Sequence, residues 1–278
     1  MAERLQVLQV YFRAARKHGA AKVIRSLADS HSLAAHWRRI IHSGSEPASN
    51  SYVPSFSREE ERRFCVGLAG ASPEAVAAAF AEIDNDSAFG RELAGRYRAF
   101  RPDSPVALNL GRFAVWYVLA RLLRPRVVLE TGVHDGLSSA VILRAMERNG
   151  AGGLISIDLP SVDLPPGAGR PGWLVPEHLR WRWALHLGNA RKLLPRLAAA
   201  NAPLDFFIHD SDHSRAFQQF EYETAIVHLA RPGLLLSDDA RPDLMREIAS
   251  EQGLDASFAF GAEPSLQIIL GGIRITRD

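Results

Sequence analysis

The chain has 278 residues, 47% of them hydrophobic and 23% charged. These are the proportions of a globular protein and exclude a wholly disordered chain, a collagen-like repeat and a membrane bundle. Thirty-three Lys and Arg stand against 31 Asp and Glu, for a formal charge of +2. A body so balanced argues against a domain built to grip nucleic acid, and the length suits one large domain or one domain with an extension. The one cysteine, Cys65, excludes a disulfide framework and an all-cysteine metal site, and is expected to be a small buried apolar residue.

Basicity concentrates at the start, where residues 1–45 hold eight Lys and Arg against two acids, Glu3 and Asp29. Leu5, Leu8, Phe12 and Ala15 follow helical spacing, as do Val23, Ile24 and Leu27, so an amphipathic helix is expected. Its basic face would suit weak contact with an anionic membrane or a partner; the preferred reading is a solvated face with the apolar side docked on the main body. Arg13, Arg16 and Lys17 interrupt the apolar stretch, so no ordinary signal peptide is expected and the location is read as cytoplasmic. Residues 43–57 are rich in Ser and Pro without periodicity and read as a linker or wrapping loop.

Ser72, Pro73 and Glu74 supply an N-cap, a first-turn proline and a first-turn acid for a helix through about Ile83. A second helix is expected over 87–100, ending before Pro102. Nothing in 46–105 carries a recognisable site, so this region is read as helical packaging or a substrate-side cap. From 106 onward helix and strand alternate. A helix over 106–123 ends at Arg124-Pro125 and a buried strand covers Arg126–Glu130. Helix follows over Leu137–Arg148, then a strand at Leu154–Asp158 and a Pro/Gly-rich loop over 159–177.

Leu179, Trp181, Trp183, Leu185 and Leu187 alternate with Arg180, Arg182, Ala184, His186 and Gly188, which predicts a strand near a sheet edge. Helices are expected at 190–200, 214–230 and 242–252, and strands at Leu204–His209 and Leu234–Ser237. A closing hairpin pairs 256–260 with 266–275 around Gly261–Pro264. The result is an α/β fold with a doubly wound, mostly parallel, seven-stranded sheet over 106–278 and a helical N-terminal extension over 1–105. Right-handed crossovers put the strand C-termini on one rim, where ligands bind at the switch in strand order.

Three clusters fall on that rim. Glu130, Gly132, Val133, His134, Gly136, Ser138 and Ser139 form a strand-to-helix turn whose glycines permit positive φ and close ligand approach. The helix that Ser138 and Ser139 open can attract an anionic group. The spacing is not G-x-G-x-x-G, so the dinucleotide fingerprint is unmet. Asp158 ends the second strand, where an acid commonly accepts from ribose hydroxyls. Asp210, Asp212 and His213 follow one strand, and Asp238 and Asp239 the next. Carboxylates so placed repel unless a cation neutralises them, and an all-oxygen set suits Mg²⁺, Mn²⁺ or Ca²⁺ better than Zn²⁺.

With these residues in view, 126–240 resembles the class I S-adenosylmethionine-dependent methyltransferases, in particular the metal-dependent O-methyltransferases of the catechol type and of macrolide and aminocoumarin sugars. The likeness extends over about 106–278 and covers nothing in 1–100. It implies S-adenosylmethionine as cofactor, its methionine part held by an E-x-G-x-x-x-G-x-S loop matched by Glu130, Gly132, Gly136 and Ser138, with Val133 in the same loop. It implies a ribose contact at Asp158, an adenine-side contact at Asn189, and Asp210 shared between cofactor and metal. The metal ligands it implies are Asp210, Asp238 and Asp239. The catechol-type lysine three residues after the first ligand is His213 here, which tilts the acceptor toward a sugar or other small molecule.

The expected activity is divalent-metal-dependent methyl transfer to a hydroxyl, with His213 or Asp212 taking the proton. Three other readings stand beside it: a metal-independent methyltransferase of the same fold whose acids cap helices, a non-catalytic cofactor-binding or scaffold protein, and a nicotinamide oxidoreductase. A homo-oligomer remains open.

Overall fold

The computed structural model describes residues 56–105, 107–160, 164–261 and 268–276. The amphipathic segment 5–27, all but the last two residues of the 43–57 linker and the tip of the closing hairpin lie outside these.

Among the described residues three helices come first: α1 (Arg58–Ala69), α2 (Pro73–Asp84) and α3 (Ser87–Phe100). Ser72 caps α2 as its sequence predicts, its hydroxyl accepting from the Ala75 N–H at 3.2 Å. A short 3₁₀ turn, Gly111–Phe113, leads into α4 (Ala114–Leu123). The predicted helix over 106–123 is therefore shorter, and its first turn is replaced by a segment that aims Arg112 toward the sheet. Every residue from Ala114 to Ala120 is buried, so α4 is an all-round apolar core helix. Both α1 and α2 pack on α4, and α1 also meets the far sheet edge.

The sheet contains β1 (Val127–Thr131), β2 (Gly153–Asp158), β3 (Trp183–Leu187), β4 (Leu204–His209), β5 (Leu229–Ser237), β6 (Ala256–Phe260) and β7 (Ile269–Ile275). Their order is β3-β2-β1-β4-β5-β7-β6, parallel except for β7, which runs antiparallel to both β5 and β6. The intervening helices are α5 (Leu137–Asn149), α6 (Ala190–Asn201), α7 (Arg215–Ile226) and α8 (Pro242–Glu251).

The continuous apolar runs of the central strands follow from burial on both faces. Val128, Phe206, Ile208, Leu234 and Leu236 face the layer of α1–α5. Their neighbours Leu129, Phe207 and Leu235 face α6, α7 and α8. The described helices before residue 105 thus share one core with the sheet. Cys65 is fully buried in that core, and burial pushes its thiol pKa up, away from the reactive range.

Two boundaries differ from expectation. The alternating stretch from Leu179 begins as a 3₁₀ turn, Glu177–Arg182, and only Trp183–Leu187 is strand. The expected helix over 214–230 stops at Ile226 because β5 starts at Leu229. β3 does lie at the sheet edge. The strand order reverses between β2-β1 and β4-β5, so the crevice of a doubly wound sheet opens at the C-terminal ends of β1 and β4.

Candidate active site

The first wall of the crevice is the turn after β1. Gly132 has φ 83° and Gly136 φ 93°, conformations that strain a side-chain-bearing residue. A Cβ on Gly132 would stand 1.8 Å from the Asp210 carbonyl oxygen, and one on Gly136 would stand 2.6 Å from Gly172 Cα. The turn is therefore pressed against β4 on one side and the 172–175 loop on the other. Gly132→Ala is expected to cost at least about 2 kcal/mol of stability through backbone overlap and strain, read as a lowered denaturation midpoint.

Glu130 is completely buried. Its carboxylate accepts from the Ser138 and Ser139 hydroxyls at 2.6 Å and from Ser156 at 2.8 Å. Desolvation raises its pKa against the pull of these three donors. Its place is under the turn, where it ties the start of α5 to β2, and the Ser138 hydroxyl is directed to it. Gly136 itself gives α5 no side-chain cap; the carboxylate of Asp135, one residue earlier, takes the first helical N–H instead. Val133 is buried in the turn.

Asp158 sits beside this turn. One carboxylate oxygen accepts from the Val133 and His134 N–H groups at 3.2 and 2.7 Å, the other from Leu159 N–H at 2.7 Å. Asn189 begins α6, its side-chain oxygen accepting from Arg191 N–H at 2.8 Å. Asp135, which the sequence reading passed over, is buried, accepts from Leu137 N–H at 2.9 Å, and has its pKa pushed up to about 7 by desolvation. A raised carboxyl pKa means the folded chain holds the proton more tightly than the unfolded one. Its contribution is favourable at low pH and is lost as pH rises from the usual carboxylate range through 7. Asp135→Asn keeps the acceptor oxygen, so it is expected to raise the denaturation midpoint above pH 8 and leave it unchanged near pH 4.

The opposite wall carries the acids after β4 and β5. Asp210 is anchored by its N–H to the Thr131 carbonyl at 2.8 Å, and Asp238 by its N–H to the His209 carbonyl at 2.8 Å. Asp239 follows in a left-handed conformation, φ 45°. Asp212 accepts from Ser214 N–H at 2.9 Å and so closes the turn into α7. The His213 Nε2 lies 3.6 Å from an Asp239 oxygen and 3.9 Å from an Asp210 oxygen. Burial and the neighbouring His209 pull the His213 pKa down to about 4, so the ring is neutral.

The residue that dominates this wall is one the sequence reading missed. Arg112 forms a two-pronged ion pair with Asp238, Nε donating to one oxygen at 2.6 Å and Nη2 to the other. Burial opposes the charge on both side chains, but the pairing wins: Arg112 is held charged and Asp238 below the usual carboxylate range. Asp210 goes the other way, raised by burial and by the Asp238 charge; the same causes lift Asp239 to about 6. The structure thus brings Asp210, Asp238, Asp239 and His213 together around a guanidinium. Asp238 spends both oxygens on Arg112. Among the described residues, no group of three or more His, Cys, Asp or Glu side chains has a geometry that could hold a metal ion. The expected three-aspartate ligand set does not fit a divalent ion in this arrangement.

Beneath the wall lies a second buried network. Glu221, with no exposure, accepts from Thr131 Oγ1 at 2.5 Å and Ser211 Oγ at 3.0 Å, and pairs with His209 Nδ1 at 2.5 Å. The His209 and His213 rings meet edge to face at 5.5 Å between centroids. No spacing rule links Glu221 to these partners, although a Glu on the inward face of α7 was the available signal.

Residues 129–240 match the family model described as a methyltransferase domain. With the strand order above, this decides the assignment. The segment is a methyltransferase domain. No curated protein matches the chain. The O-methyltransferase TomG of Streptomyces achromogenes, involved in tomaymycin synthesis and solved with S-adenosylmethionine, shares the fold at 19% identity. That match has a TM-score of 0.51 and covers 68% of this chain and 89% of TomG. An O-methyltransferase from Bacillus cereus, solved with S-adenosylhomocysteine, is similar at 14% identity and TM-score 0.50, covering 68% of this chain and 91% of its own.

Around the switch point stand the α5 N-terminus, where Asp135 accepts from Leu137 N–H, and the acids after β2 and β4. The loop from 164 is anchored at Trp173. Trp173 is buried, packed on Tyr97 and Phe100 with ring centroids 6.2 and 5.2 Å away, and its carbonyl accepts from Arg96 Nη2 at 2.9 Å. Trp173 thus pins this loop to α3; it is not an exposed wall of the crevice.

Proposed function

We propose that this domain transfers a methyl group from S-adenosylmethionine to a hydroxyl of a small molecule or sugar, with His213 as the general base. The observation that carries the reading is the place and state of His213: on the rim, next to the cofactor crevice, kept neutral, with Nε2 turned toward two carboxylates. S-adenosylmethionine supplies a methyl carbon bound to a positively charged sulfur. The residues suited to hold it are the 132–136 turn, the first turn of α5, Asp158, Asn189 and Asp210.

With S-adenosylmethionine bound, the acceptor oxygen would bond to the methyl carbon as the carbon–sulfur bond broke with its electron pair left on sulfur, and His213 would take the hydroxyl proton. A neutral imidazole can take that proton, and the nearby charges of Asp238 and Asp212 favour the imidazolium that results. Asp212 is less suited because it closes the turn before α7. Most of the rate gain is expected from alignment of acceptor oxygen, methyl carbon and sulfur, worth up to about 7–11 kcal/mol in favourable systems.

The test is transfer of isotope-labelled methyl from S-adenosylmethionine to a panel of sugars, phenols and hydroxylated polyketides. Label recovered in a methyl ether supports the reading. Label recovered only on nitrogen or a carboxyl group, or no transfer to any acceptor despite cofactor binding, refutes it.

A further inference from the structure

We infer that the Arg112 guanidinium takes the place of a divalent ion at the three rim aspartates, so that methyl transfer by this chain needs no metal. The inference deepens the methyl-transfer reading above, and only its activity arm rests on that reading.

Asp210, Asp238 and Asp239 stand at the ends of adjacent parallel strands, where bare carboxylates repel one another and require a positive partner. Arg112 is that partner by construction. The 3₁₀ turn Gly111–Phe113 places it ahead of the rigid core helix α4, and its guanidinium lies over the Phe113 ring at 4.9 Å. The Arg112 and Asp238 side chains are only 11% and 1% exposed. A planar guanidinium matched to both oxygens of a carboxylate is a geometry an ammonium does not reproduce.

Two consequences follow for an ion. Asp238 has its ligand oxygens committed, and any cation entering between Asp210 and Asp239 meets a fixed positive charge at short range. The substitution also changes the chemistry. A guanidinium balances charge but cannot bind and ionise an acceptor hydroxyl as a Lewis acid does. Proton removal then depends on the base beside it, and His213 lies within 4 Å of two of the three carboxylates.

The test uses the full chain saturated with S-adenosylmethionine and titrated with Mn²⁺, read by the loss of the free-ion paramagnetic signal. The unaltered chain is expected to bind no Mn²⁺ at about 1 mM, and its thermal midpoint should not move. Arg112→Gln, which uncovers the carboxylates, is expected to gain Mn²⁺ binding and a higher midpoint in its presence. Binding to the unaltered chain at or below about 0.1 mM, lost in Asp238→Asn, would overturn the inference. So would a folded Arg112→Gln that gains no Mn²⁺. If that variant does not fold, the titration of the unaltered chain decides alone.

Turnover with an accepted substrate should survive EDTA within about twofold; abolition by EDTA with recovery in Mg²⁺ is the contrary result. Failure of S-adenosylmethionine to bind would remove the methyl-transfer reading, while the Mn²⁺ titration, repeated without cofactor, would still report on Arg112.

Discussion

Arg112→Ala is expected to destabilise the chain by about 3–5 kcal/mol, the cost of leaving a buried carboxylate without its partner. The loss reflects Asp238, which is fully enclosed and would be left with two unpaired oxygens. A double variant, Arg112→Met with Asp238→Asn, removes both charges and should recover most of the stability. The comparison is made by urea denaturation of the two singles and the double at pH 7. A double variant as unstable as the sum of the singles would show that the pair is not the source of the effect. The pH dependence has a fixed sign. Asp238 has a lowered pKa, so the stabilisation is present above the usual carboxylate value and fades as pH falls through the folded one.

Replacing His213 by Gln is expected to reduce kcat by about 10²–10⁴, the usual contribution of a general base, while S-adenosylmethionine affinity stays within a few-fold. His213 lies on the acid wall and makes no part of the β1 turn, so the loss should fall on turnover rather than on cofactor binding. Its stability signature is separate. With the folded pKa near 4 and the unfolded value near 6.5, the unfolded chain takes up the extra proton first. The neutral ring therefore supports the fold above about pH 6.5 and that support is lost as pH falls toward 4. His213→Gln should flatten this part of the stability curve. Turnover within a few-fold of the unaltered chain would move the base elsewhere, to Asp212 or Asp239.

Most of the sheet was legible because its strands are short apolar runs bounded by turn residues. Leu204–His209 emerges with its predicted limits, and β1, β2 and β7 shift by one to three residues. The alternation around Trp181 misled because period-two spacing was read as one buried face. Trp181 is 74% exposed, and the Arg182 guanidinium covers its ring at 3.9 Å. An aromatic can thus be sheltered by a charged neighbour without belonging to a strand.

The site was legible wherever chemistry is local in sequence: the β1 turn, the 210–213 stretch and the Asp238-Asp239 pair. Arg112 was not, since its partner lies 126 residues away and a pattern of helical spacing says nothing about what a single charge at a helix entrance will meet. A positive partner was expected among the aspartates from their placement; that Arg112 pairs with Asp238 depended on three-dimensional proximity. The partners of Glu130 were hidden for a related reason. A carboxylate in a glycine-rich turn suggests a ligand contact, whereas three serine hydroxyls, one of them from the next strand, enclose it.

The wedge of Trp173 between Tyr97 and Phe100 matters beyond its own loop. The adjoining Gly172 and Leu174 N–H groups donate to the carbonyls of His134 and Asp135 at 2.9 and 2.8 Å. Helix α3 therefore clamps, through one indole ring and two amides, the very bend proposed to hold the methyl donor. Trimming the protein back to its strand–helix alternation would discard that clamp, and the shortened product should retain much of its sheet yet grip the donor poorly.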